Sequence, residues 1–75
     1  MLSDTLTNEL QRYAIGPRIR ALRLRKKLSL VQLGDHTGLS PAMLSKIERG
    51  ATDVGYVRLV RLARALEVST SVFVD

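Results

Sequence analysis

Residues 33–47 read Leu33-Gly34-Asp35-His36-Thr37-Gly38-Leu39-Ser40-Pro41-Ala42-Met43-Leu44-Ser45-Lys46-Ile47. Two short helices joined by one tight turn account for this string. Gly38 marks the turn, because a residue that must adopt a positive φ is cheapest as glycine. Ser40 is placed as a helix N-cap. Pro41 suits the first helical position, where its missing N–H is an orphan anyway. Gly34 lies four residues before Gly38, on the inner face of the first helix; a small residue there lets the second helix cross closely. Leu33, Leu44 and Ile47 then close the pair into one apolar contact. The outward side of the second helix keeps Pro41, Ala42, Ser45 and Lys46, with Arg49 at its end. Small residues at the helix start permit close approach to a groove floor, and Lys46 supplies a donor.

The rest of the chain reads as further short helices, with no strand signal before the last few residues and no internal repeat. Ser3 as N-cap with Leu6, Leu10 and Tyr13 at i, i+4 and i+7 predicts a helix over 3–13. Gly16-Pro17 predicts a break there, with Pro17 opening a second helix whose apolar stripe is Ile15, Ile19 and Leu22. Ser29 caps a helix over about 30–36, and the next runs from Ser40 to about Arg49, ended by Gly50. Leu59, Leu62, Ala63 and Leu66 place another over about 55–66, and a last turn covers Ser69 to Phe73. The expected class is all-α, with residues 1–14 a helical extension and 15–75 one domain.

The chain has 75 residues, 45% apolar and 25% charged. A domain this size buries only about 60% of its unfolded surface and has little room for a catalytic cleft. The absence of cysteine excludes a disulfide framework, a zinc finger and a thiol nucleophile. The single histidine, His36, excludes a His-rich metal site, and Asp35 and Asp53 are isolated carboxylates. No metal, no cofactor and no enzymatic activity are therefore expected. Apolar runs of two or three residues are too short for a membrane span. The N-terminus lacks a basic start followed by an apolar stretch, so a cytoplasmic location is expected.

Twelve Lys and Arg against seven Asp and Glu give a net charge of +5. Its placement says more than its size. Residues 16–28 carry Arg18, Arg20, Arg23, Arg25, Lys26 and Lys27 without one acid. Such a segment is the electrostatic footprint of a polyanion partner, or else a solvated helix face.

Three strings, IGPRIRALRLRKKLS (15–29), GLSPAMLSKIERG (38–50) and LVRLARALEVS (59–69), resemble the lambda-repressor-like helix-turn-helix family, also called the xenobiotic-response-element type. The resemblance covers residues 15–74 and implies a five-helix DNA-binding domain, preceded here by a short extra N-terminal helix. The helix near residues 40–49 would enter the major groove. It implies a transcriptional regulator, in this reading a repressor, acting as a homodimer on a double-stranded DNA operator.

Carried over by position, the family's base contacts fall on Pro41, Ala42, Ser45 and Lys46. Phosphate contacts fall on Ser29, Ser40 and Met43, with Arg49 and Thr52 as further candidates. Arg23 and Glu48 match a buried ion pair between the first and third helices, and Gly34, Gly38, Leu44 and Ile47 hold the motif together.

The sequence also departs from the family. Leu30 stands where the family usually has a phosphate-contacting Gln, so that contact passes to the backbone N–H or Leu30 meets another protein surface. The loop Ala51-Thr52-Asp53-Val54-Gly55 is not basic. Glu67 replaces the usual Gly after the fourth helix, so a different backbone geometry is expected there.

Val57, Val72, Val74 and the Leu6-Leu10-Tyr13 stripe exceed what one small core needs, which leaves either a cap on that core or a dimer interface. A protein-interaction module or antitoxin body reusing the fold is the alternative function. The family also includes longer regulators with a C-terminal sensor domain, and the 38–50 string looks like those whose sensor is a cupin barrel. A longer parent protein therefore stays open.

Overall fold

The computed structural model describes the backbone of residues 4–73 and the side chains of residues 15–73. Four α-helices and one 3-10 turn make up the described residues: α1 Asp4–Arg25, α2 Leu30–Thr37, α3 Pro41–Glu48, α4 Tyr56–Ala65 and the turn Thr70–Val72. α1 packs on α3, α3 on α2, α2 on α4, and α4 on the terminal turn.

The all-α class stands, but the five-helix count with a separate N-terminal helix is corrected to four. The two helices expected on either side of Gly16-Pro17 are one helix of 22 residues. Proline inside a helix removes one hydrogen bond and crowds the carbonyl four residues back, at about 3 kcal/mol in a helix interior. Here Pro17 is exposed, so the carbonyl of Tyr13 that lacks its donor lies on the same outer side of the helix. Ile15 and Ile19, one on each side of the proline, are buried in the core and hold the helix axis through it. Leu6, Leu10 and Tyr13 fall outside the described side chains, and Ser3 and Val74 lie outside the described residues.

One core joins all the elements: Ile15 and Ile19 of α1, Leu33 of α2, Leu44 and Ile47 of α3, Leu59, Leu62 and Ala63 of α4, then Leu66 and Phe73. These are the periodic positions of the sequence, with Phe73 added by the terminal turn. Arg18 helps hold that turn, its Nη1 donating to the carbonyls of Val72 and Phe73 at 3.2 and 3.4 Å.

The expected difference at Glu67 is also corrected. Glu67 adopts φ 58, the left-handed conformation that a glycine would take, and Lys27 after α1 does the same at φ 59. Each allows a wrap-around bond, Val68 N–H to Ala63 O at 2.9 Å and Leu28 N–H to Arg23 O at 3.1 Å, which satisfies a terminal helix carbonyl. Those bonds offset a backbone cost of about 1–2 kcal/mol per non-glycine residue.

Gly16 is buried where α1 lies across the last turn of α3. A Cβ there would sit 2.5 Å from the Ile47 carbonyl oxygen and 2.7 Å from that of Glu48. Both neighbours are backbone, so the two helices would have to separate. Gly16→Ala is therefore expected to destabilise the domain: overpacking costs about 1–3 kcal/mol, against at most about 1 kcal/mol gained in helix propensity. The check is a thermal melt, in which each 1 kcal/mol lost lowers the midpoint by about 4–8 °C. An unchanged or raised midpoint would show that the crossing is looser than this geometry.

Candidate nucleic-acid interface

Two short helices carry the candidate site, and each begins with a side-chain cap. Ser29 Oγ accepts from Gln32 N–H at 3.0 Å, and Gln32 Oε1 accepts from Ser29 N–H at 2.8 Å, a reciprocal capping box. Ser40 Oγ accepts from Met43 N–H at 3.1 Å, with Pro41 at the first helical position. Amides without an intrahelical acceptor remain at Leu30 and Val31 on α2 and at Ala42 on α3, pointing out of the helix ends where an anion is favoured.

Gly38 takes φ 77, and its N–H closes α2 on the Gly34 carbonyl at 2.8 Å. Thr37 braces the same turn, donating to Leu33 O at 2.8 Å and accepting from Leu39 N–H at 3.3 Å. Gly34 is buried, and the close approach it permits is chiefly to the turn. A Cβ would lie 2.6 Å from Leu39 O and 3.8 Å from the Leu44 side chain.

One ion pair ties the end of α3 to α1. Arg23 and Glu48 are only 8% and 7% exposed. Arg23 Nε donates to Glu48 Oε2 at 2.7 Å and Nη2 to Oε1 at 3.0 Å, a bidentate fork. The third nitrogen, Nη1, donates to Leu28 O at 2.9 Å, so one guanidinium joins α1, the turn before α2 and the end of α3. The hydrogen bonds it donates to Glu48 raise the Arg23 pKa above its ordinary value, against the opposing effect of burial.

With Leu44, Ile47 and Glu48 buried, α3 presents Pro41, Ala42 and Lys46 to solvent and Ser45 half-buried between them. The structure therefore brings the four base-contact candidates onto one open face. Arg49 follows, exposed, its Nε donating to Ser45 O at 3.2 Å. Thr52 lies in the bend after Gly50, half-buried. Met43 turns its side chain to the core edge, and its amide is already engaged by Ser40. Leu30 is likewise packed against the core, so only its backbone N–H is offered outward.

The basic segment 16–28 is only in part a free polyanion footprint. Arg23 is in the ion pair, Arg18 holds the terminal turn, and Lys26 sits 3.5 Å from the Glu67 carboxylate. Arg20, Arg25 and Lys27 remain exposed. His36 is exposed too, in an open cleft with Lys26, Arg61 and Arg64 that includes no residue of α3. Three contributors were missed in the sequence: Gly16, Arg18 and Gln32. The Ser29-x-x-Gln32 spacing was a readable capping-box signal. Nothing local marked Gly16 or Arg18, because their contacts lie 31 and 54 residues away.

Two helices meeting through a left-handed glycine, the second buried on one side and bare on the other, make a helix-turn-helix. The chain belongs to the helix-turn-helix family, whose profile matches residues 19–73. Two curated relatives from Sinorhizobium fredii, the uncharacterized HTH-type transcriptional regulators y4aM and y4wC, are 36% and 34% identical over 61 residues. The match takes in 81% of this chain but 43% of each relative, so the chain spans less than half their length.

Among solved structures, the restriction-modification controller protein C.AhdI from Aeromonas hydrophila superposes with a TM-score of 0.81 at 31% identity, covering 85% of this chain and 97% of that one. An HTH_3 family transcriptional regulator from Vibrio cholerae gives 0.83 at 35% identity, over 88% of this chain and 37% of its own.

Glu48→Ala is expected to lower stability by about 3–5 kcal/mol, because it leaves the Arg23 guanidinium buried and unpaired. Replacing both residues with apolar side chains of similar volume recovers much of that loss. Chemical denaturation of the single and double variants measures both; a single variant as stable as the parent would mean that the pair carries no structural weight.

Proposed function

We propose that this chain is the duplex-DNA-binding part of a transcriptional regulator, a repressor, with α3 in the major groove. The observation that carries this reading is the outward face of α3: small residues at its start and an exposed lysine further along, with amides left open at the N-termini of α2 and α3. Short leading side chains let the helix start approach the groove floor closely, and the flanking amides suit phosphates on the groove's edges. Family membership and the transcriptional regulators among its relatives support the same reading.

The module works as a homodimer on a near-palindromic site, since one recognition helix covers only a few base pairs. Tyr56 and Val57 at the start of α4 and Val72 in the terminal turn are exposed apolar side chains available for such a contact. The reading is of a binding module with no catalytic step and no bound cofactor, in the cytoplasm with the DNA it reads. No helix among the described residues is long and apolar enough to cross a membrane. The greater length of the relatives from Sinorhizobium and Vibrio supports a C-terminal sensor domain in a longer parent protein, whereas the controller protein is of this chain's own size.

Binding to duplex DNA should be electrostatic at base, with about 4–8 phosphates neutralised per dimer and a slope of log K against log salt of roughly −4 to −7. Fluorescence anisotropy across a salt series measures it, and a flat response would sink the DNA reading.

Lys46→Ala should cost about 1–3 kcal/mol at one base pair and nothing on sites where that pair is changed. Arg49→Ala, by contrast, should weaken all sequences alike and flatten the salt slope by about one per subunit. Titration of each variant against a site selected from a random duplex pool, and against its single-base variants, separates the two. If Lys46→Ala weakens every variant equally, Lys46 contacts phosphate and base readout falls to the rest of the face.

A further inference from the structure

The outward face of α3 is chemically divided along its length. Pro41 and Ala42 begin it, both exposed, and their side chains offer only carbon. Ser45, one turn on, is half-buried. The polar groups lie at the far half: Lys46, whose ammonium makes no hydrogen bond or ion pair among the described residues, and Arg49, tied back to the Ser45 carbonyl. The hydroxyl nearest the start, Ser40 Oγ, accepts from the Met43 amide as the helix cap.

That division restricts what the helix start can recognise. Adenine is read by a side-chain amide reaching N6 and N7, and cytosine by a carboxylate accepting from N4. The outward face holds neither group, since the one carboxylate of α3, Glu48, is buried on Arg23. The major-groove feature that a bare carbon surface complements is the C5-methyl group of thymine.

Resting on the duplex-DNA reading above, we propose that Pro41 and Ala42 read thymine C5-methyl groups, so that the half-site carries thymine opposite the start of α3. A corollary follows from the chemistry. 5-Methylcytosine carries a methyl group at the same place in the groove, so it substitutes for thymine at these positions better than unmodified cytosine does.

The test begins with sites selected from a random duplex pool. Each thymine of the consensus is then replaced in turn by uracil, which removes the methyl and leaves every hydrogen-bonding group in place. Uracil at one or two positions per half-site should weaken binding by about fourfold each, the weight of one buried methyl, and by nothing at the other thymines. Where thymine is replaced by cytosine, methylating that cytosine should recover a similar factor. In Ala42→Gly, with folding verified by its thermal melt, the uracil effect at the position facing residue 42 should disappear while the Lys46-dependent preference persists. Salt-dependent, sequence-selective binding with uracil tolerated at every position would overturn the methyl readout and leave the DNA function standing. Absence of duplex binding altogether would overturn both.

Discussion

The Arg23 guanidinium is the point on which the arrangement turns. Its fork holds Glu48 at the end of α3, and its third nitrogen holds the Leu28 carbonyl just before α2 begins. Desolvating two charges offsets most of their attraction, so the pair contributes orientation more than net stability. An apolar contact in its place would tolerate sliding and rotation; a bidentate fork with a third donor does not. Both motif helices are thus fixed relative to α1, and Gly16, where the α1 backbone lies on the Ile47 and Glu48 carbonyls, allows the approach to be that close.

This clamp explains how a 75-residue chain can present a defined surface with so small a core. Helices α2 and α3 have eight residues each, too short to persist alone in water. They are helical because both ends are capped and one face is buried. The capping box at Ser29, the Ser40 cap and the left-handed Gly38 remove the fraying that would blur the outward face of α3. The outward face of α3 is thus a ridge of small side chains followed by Lys46, which is without an ion pair among the described residues.

The charge of the chain divides in the same way between scaffold and surface. Arg23, Arg18 and Lys26 serve contacts within the domain, which leaves Lys46, Arg49 and the helix amides as the groups nearest the proposed groove. In the proposed complex, fit in the groove would carry more of the binding than phosphate contacts do, and the leading residues, Pro41 and Ala42, are of the kind that supply fit.

Much of this was legible in the sequence. Period-3.6 spacing located Ile19, Leu33, Leu44, Ile47, Leu59, Leu62 and Leu66 in the core, and Ser29, Ser40 and Gly38 marked helix ends, because caps and turns are chosen by chemistry within a few residues. The outward face of α3 followed as the complement of its buried face. The break expected at Gly16-Pro17 failed because local propensity was outweighed by the burial of Ile15 and Ile19 against elements far along the chain. Glu67 departs from its expected geometry for a related reason: wrap-around bonding at the end of α4 holds it in a conformation its side chain disfavours. Local chemistry therefore decided where helices start and which face is apolar. Only the tertiary structure decided which helices fuse and which cations are consumed inside the domain, because those outcomes depend on contacts between residues 25 or more positions apart.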